Sequence, residues 1–150
     1  MKIIVDADAC PVKDIVLKVS RKYGIVALFV CSISHYTNYY ETNKVKPIYV
    51  DNVFQSADLA IINKAKDGDV VVTGDYGLAA MVLSKGACAI SYNGKLFDNS
   101  TIDDLLDKRH QSMKSLRSGQ RIKGPRKRCK EDDERFQATL ERMISIKNKD

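Results

Sequence analysis

Residues 1–12 read MKIIVDADACPV. Ile3, Ile4 and Val5 form an apolar run too short for a buried helix and suited to a strand covered on both faces. The run ends in Asp6, and Asp8 follows after one alanine. Pro11 then fits the first turn of a helix, where its missing N–H costs nothing. A buried strand that ends in two carboxylates and passes into a helix is the opening of a β–α unit with a polar carboxyl end.

The pattern repeats along the chain. Val12, Ile15, Val16 and Val19 recur at helical spacing, and Tyr23-Gly24 supplies a C-cap glycine. Apolar runs at 26–31, 48–50, 70–73 and 87–91 read as strands two to five. Ser56 is expected to cap a helix carrying Leu59, Ile62 and Ala65, and Thr101 one carrying Ile102, Leu105 and Leu106. Leu78, Met81 and Val82 mark another, closed by Gly86. Residues 32–47 show no period and read as a loop, and Asn93-Gly94 as a turn. Strands alternating with helices predict an α/β fold: an open, mainly parallel five-stranded sheet, order about 3-2-1-4-5, with helices on both faces. The expected organisation is an α/β core over 1–107, a basic segment over 108–130, and a helix over 131–150 packed on or beside the core.

At 150 residues and 44% hydrophobic, the chain suits one globular domain. No stretch approaches the about 18 apolar residues of a membrane span, and acids stand where an export signal would be apolar. Cys10, Cys31, Cys88 and Cys129 form no C-x-x-C pair, which fits a reducing cytoplasm and argues against zinc or disulfides. The net charge of +6 concentrates late: ten basic residues and no acidic one lie between Lys108 and Lys130. Such a block suits an anionic partner, nucleic acid first, or a merely solvated segment.

In open α/β sheets, ligands bind beyond the carboxyl ends of the strands where the strand order reverses. Strand one ends at Asp6 and Asp8, and strand four is followed by Asp75. Asp58 lies in the first turn of the helix after strand three. Each has a bland reading: Asp58 facing a helix dipole, Asp75 as an N-cap, Asp8 in an Asx turn. Together they suggest carboxylates gathered for a cation, Mg2+ or Mn2+ given hard oxygen donors without histidine or cysteine. Lys13, Arg126, Lys127, Arg128 and Lys130 are candidate phosphate contacts. Tyr76, beside Asp75, reads as a packing residue or a base-stacking one. Neither His35 nor His110 is placed as an obvious general base.

Four stretches, VDADACPV at 5–12, AD at 57–58, VVTGDYGLA at 71–79 and GPRKRCKEDDERF at 124–136, resemble the YaiI/YqxD family across nearly the whole chain. That family is classed with PIN-like domains, many of which are magnesium- or manganese-dependent ribonucleases, and has no established activity of its own. The resemblance implies a PIN-like fold and acidic site positions at Asp6, Asp8, Asp58 and Asp75. The family often has a further aspartate three residues before the Asp58 position, and this chain has Gln55 there. The expected function is divalent-metal-dependent cleavage of single-stranded RNA by a metal-activated water, the acids being both ligands and catalytic residues. The alternatives are a non-catalytic RNA-binding module and a metal-dependent phosphohydrolase of small substrates.

Overall fold

A computed structural model describes residues 1–53, 55–117 and 126–148, with 109–117 as backbone only. Its sheet comprises β1 (Lys2–Asp6), β2 (Val26–Ser32), β3 (Ile48–Val50), β4 (Val70–Val72), β5 (Cys88–Ile90) and β6 (Leu96–Phe97). The spatial order is β3-β2-β1-β4-β5-β6. The first five strands run parallel and β6 runs antiparallel to β5. The expected five-stranded order therefore holds, with one further edge strand. β6 spans only two residues after the Asn93-Gly94 turn, too short to leave an alternation in the sequence.

The helices are α1 (Lys13–Tyr23), α2 (Tyr39–Thr42), α3 (Ser56–Lys64), α4 (Tyr76–Leu83), α5 (Asn99–Arg117) and α6 (Lys130–Asn148). Side chains alternate across the sheet, as strand geometry requires. Ile3 and Val5 of β1 pack with Val16 of α1 and with Phe136, Leu140 and Ile144 of α6. Ile4 faces the other way, with Ile61 of α3, Leu78 and Val82 of α4, and Ile102 of α5. The late apolar positions thus close one face of the core.

Several helix starts differ from expectation. α1 opens at Lys13, two residues after Pro11, which lies in the preceding turn. Ser56 does not cap α3: Gln55 holds that position in the left-handed region (φ 63°), without a side-chain cap bond. Thr101 does not cap α5, because Asp98 Oδ1 accepts its N–H at 2.7 Å and the helix begins at Asn99. At α5 a carboxylate is a stronger acceptor for the orphan amide than a hydroxyl. The segment 32–47 includes a 3-10 turn, Ile33–His35, as well as α2. Of the basic segment, 118–125 lie outside the described residues, as do 149 and 150 of the expected last helix.

Gly94 explains how α6 seats. Its φ is 86°, and a Cβ there would lie 2.7 Å from backbone atoms of Arg135 and Phe136. Only glycine allows the β5–β6 turn to meet the helix backbone so closely. All four cysteines are free thiols, Cys10 and Cys31 being buried. Among the described residues, no helix is long and apolar enough to cross a membrane.

Candidate functional site

β1 pairs with both β2 and β4, so the sheet reverses its order at the carboxyl end of β1. Asp6 stands there. Thr73, fully buried just beyond β4, donates its hydroxyl hydrogen to Asp6 Oδ2 at 2.9 Å. The same Thr73 oxygen accepts the Asp75 N–H at 3.0 Å. Burial pushes the Asp6 carboxyl up to about 6; the Thr73 bond opposes this, while Asp58, Asp8 and Asp75 add to it by repulsion. Asp58 is raised by burial and by Asp75. Carboxylates from β1, the β1–α1 turn, α3 and the start of α4 therefore share one electrostatic neighbourhood.

Asp6, Asp8 and Asp58 line one crevice of about 360 Å³. Asp75 acts on this group from outside that lining. It is also the N-cap of α4, with Oδ1 accepting the Gly77 and Leu78 amides at 2.9 and 3.3 Å. Asp8 makes no Asx turn. The β1–β2 pairing continues through the Ala7 amide to the Val30 carbonyl at 2.9 Å. Asp8 then meets the end of β2, both its oxygens accepting the Ser32 amide at 3.1 and 3.2 Å.

Among the described residues, no three His, Cys, Asp or Glu side chains are close enough together to hold a metal ion. The acids surround a space instead of forming a cage. This donor set fits a hard, hydrated cation: magnesium keeps several waters and takes one or two carboxylates alongside substrate phosphates. Burial raises the Asp6 carboxyl first, and the repulsion from Asp58, Asp8 and Asp75 that adds to it is one a bound cation would relieve.

Two further residues join the site: Asp51, which the sequence reading passed over, and His35, which it set aside as a general base. Asp51 follows β3 and lines the same crevice, with Asn52 and Gln55. It ends a strand as Asp6 does, and that parallel was the available signal. His35 Nδ1 lies 2.7 Å from Ser32 Oγ and 3.4 Å from Asp8 Oδ1. It follows the carboxyl end of β2, the side of the sheet where function is expected. Backbone strain gathers here too: Ala9 (φ 58°) and Gln55 are two of the three non-glycine residues with positive φ among those described. Such strain tends to persist where the surrounding structure demands it. Tyr76 packs against the core layer under α4, its bland reading.

The basic candidates divide. Arg126 pairs with buried Asp132 at 2.7 Å. Arg128 pairs with Asp133 at 2.7 Å and donates to the Tyr92 carbonyl, also at 2.7 Å. Lys130 lies 3.9 Å from Glu134, an exposed helical pair. Lys127 is exposed and Lys13 sits beside Asp8 in a neighbouring cavity. The arginines of this motif therefore have an internal duty. Tyr92, which Arg128 holds, donates its hydroxyl to the Asp6 carbonyl at 2.8 Å. Its ring packs so closely on Gly74 that a Cβ there would meet it at 3.0 Å. The C-terminal motif is thus tied through Tyr92 to the strand end that bears Asp6.

Comparison with known proteins gives the chain its family. The model of the uncharacterized BCR, YaiI/YqxD family matches residues 4–146. The chain belongs to the YaiI/YqxD family. A UPF0178 protein of Alkaliphilus metalliredigens is 44% identical over 144 residues, covering 96% of this chain and 92% of the relative. One from Clostridium perfringens strain SM101 is 46% identical over 144 residues, covering 96% and 95%. A third, from Oceanobacillus iheyensis, is 46% identical over 132 residues, covering 88% and 90%. No solved structure matches the chain. The family match spans both the acids at the strand ends and the motif that docks α6.

Proposed function

We propose that this protein is a cytoplasmic, divalent-metal-dependent ribonuclease acting on single-stranded RNA. The observation that carries the reading is the gathering of Asp6, Asp8 and Asp58 around one crevice at the switch point of the sheet, with Asp75 close enough to repel Asp6 and Asp58. Asp6, Asp8, Asp58 and Asp75 would supply the negative charge for Mg2+ or Mn2+, one or two of them as direct ligands and the others through its bound waters. When bound, such a cation polarises a phosphodiester and makes a water nucleophilic near neutral pH. Thr73 fixes the orientation of Asp6 through its hydroxyl. Ser32 does the same for Asp8 through its amide. Lys13 and Lys127 are the lysines placed to meet substrate phosphates, and RNA is the polyanion proposed.

The test incubates purified wild type and Asp6→Asn with labelled single-stranded RNA, with and without manganese. Manganese-dependent cleavage by wild type, lost by orders of magnitude in the variant, is expected. Equal cleavage by both would reveal a contaminant and remove the reading. Salt-sensitive RNA binding without cleavage would favour the binding-module alternative, and salt-insensitive turnover of small phosphate esters the phosphohydrolase one.

A further inference from the structure

A second cavity, of about 410 Å³, adjoins the acidic crevice and shares Asp8 with it. That volume lies in the range of small-molecule sites. Its walls come from the β1–α1 turn, the start of α1, and the stretch between Cys31 and Tyr40. The four carboxylates proposed for the cation, apart from Asp8, take no part in it.

Three features of this cavity ask for a ligand. Lys13 Nζ stands 5.5 Å from the centre of the Tyr39 ring and 5.4 Å from that of Tyr40. Lys13 is half-buried and has no ion-pair partner among the described residues. Asp14, the next residue, instead accepts the Tyr39 hydroxyl at 2.5 Å. The second feature is Tyr40, 1% exposed, whose hydroxyl has no nitrogen or oxygen partner. The Cys31 thiol beside it is only a weak partner, and burial first, then Cys31, push its ionisation up. A buried hydroxyl left unpaired is unfavourable, and a ligand atom would remove that deficit. The third is Tyr36, which lines the cavity and is 65% exposed. Its ring is already stacked on Tyr49, with centroids 6.0 Å apart and planes at 30°.

A cation with ring contacts but no ion-pair partner favours an anion, an exposed ring a flat partner, and a hydroxyl without a nitrogen or oxygen partner a polar atom. A phosphate alone would satisfy the first and leave most of the volume unfilled. We propose that this cavity seats one nucleotide of the single strand, with Lys13 on its phosphate, Tyr36 stacked on its base and the Tyr40 hydroxyl bonded to a polar atom of its base or sugar. The placement of that nucleotide next to a scissile phosphodiester rests on the nuclease reading above; the binding of the nucleotide does not. Asp8 stands between the two sites, so the nucleotide phosphate lies on the Lys13 side and the cation on the other.

The experiment titrates the full chain with 5′-AMP, 5′-UMP and orthophosphate in EDTA at low salt, followed by amide chemical shifts. Both nucleotides should bind, shifting residues of the Cys31–Tyr40 stretch, and orthophosphate should bind far more weakly. Tyr36→Ala and Lys13→Gln should each weaken nucleotide binding by about tenfold, the scale of one base stack or one charge-assisted contact. Tyr40→Phe should weaken it several-fold without lowering the melting temperature, because the folded protein loses only an unpaired hydroxyl. Nucleotides binding no better than orthophosphate, or all three variants binding like wild type, would overturn the proposal. The two readings separate cleanly. Nucleotide binding without cleavage under any condition keeps the cavity and removes the nuclease. Metal-dependent RNA cleavage with KM unchanged in Tyr36→Ala and Tyr40→Phe keeps the nuclease and removes the cavity.

Discussion

Thr73 donates its hydroxyl hydrogen to Asp6 Oδ2 at 2.9 Å. The bond joins the residue just beyond β4 to the end of β1 at the point where the sheet order reverses, and it opposes the rise that burial first, then Asp58, Asp8 and Asp75, impose on the Asp6 carboxyl. Replacing Thr73 by valine keeps the shape and removes the donor. The Asp6 titration midpoint, read from carboxyl carbon shifts in EDTA, should then rise above its wild-type value. The Asp75 amide also loses its partner, so the variant should lose about 1–3 kcal/mol of stability. A midpoint that stays put would show that something other than Thr73 sets the Asp6 charge.

Asp6 itself should make the metal-free protein less stable as pH rises. Its folded pKa, about 6, exceeds the ordinary value of 3.8, so the folded state binds more protons than the unfolded one between those values. Stability contributed by the protonated form is full below pH 3.8 and is lost as pH rises through 6. A shift of two units corresponds to ~3 kcal/mol. Asp6→Asn in EDTA should therefore be more stable than wild type at pH 7.5, and the advantage should shrink at pH 4. Urea unfolding at both pH values measures this. A variant less stable than wild type at pH 7.5 would mark Asp6 as a structural residue.

Asp132 works in the opposite sense. It is buried, and its carboxylate accepts the Cys129 amide at 3.0 Å and the Arg126 guanidinium at 2.7 Å. Those bonds, the Cys129 amide foremost, hold it well below the usual carboxylate range. The stability it contributes is present above the unfolded pKa, near 3.8, and is lost as pH falls below that value. Asp132→Asn should lower the denaturation midpoint at pH 7 and flatten its decline between pH 4 and 2. An acid limb as steep as that of wild type would assign the acid sensitivity to other carboxylates.

Gly94→Ala should cost about 2 kcal/mol or more. The new methyl group meets the Arg135–Phe136 backbone at 2.7 Å, at a φ of 86°. Chemical denaturation provides the check, and a loss under about 0.5 kcal/mol would show that α6 yields there.

The internal roles of Arg126 and Arg128 sharpen the RNA-binding test. Lys127→Gln should leave stability unchanged and reduce the salt dependence of RNA affinity by about one unit of slope. Arg128→Gln should instead lower stability, since it releases Asp133 and the Tyr92 carbonyl. Fluorescence anisotropy across a salt series separates the two. An unaltered slope in Lys127→Gln would take that lysine out of the interface.

Much of this protein is legible in its order of residues. Strand runs bounded by glycine, proline and acids specify five parallel strands and their order, because parallel strands need helical crossovers of one hand. The placement of Asp6, Asp58 and Asp75 at element ends follows from the same local pattern. The two-residue β6 left no period to read, the cap of α5 turned on which neighbour offered the better acceptor, and α3 starts after a left-handed Gln55 with no side-chain cap.

Chain order alone does not decide partners distant along it. Asp8 meets Ser32, 24 residues away, and Arg128 meets Tyr92, 36 residues away. Charge density made the arginines of the C-terminal motif look free for a polyanion, yet folding turns two of them onto Asp132 and Asp133. Asp51, unremarked in sequence, and His35, set aside there as a general base, enter the site only once β3 and β2 lie side by side beside β1. Periodicity and capping are local and show in the sequence, whereas hydrogen bonds between distant side chains depend on where packing brings the elements together.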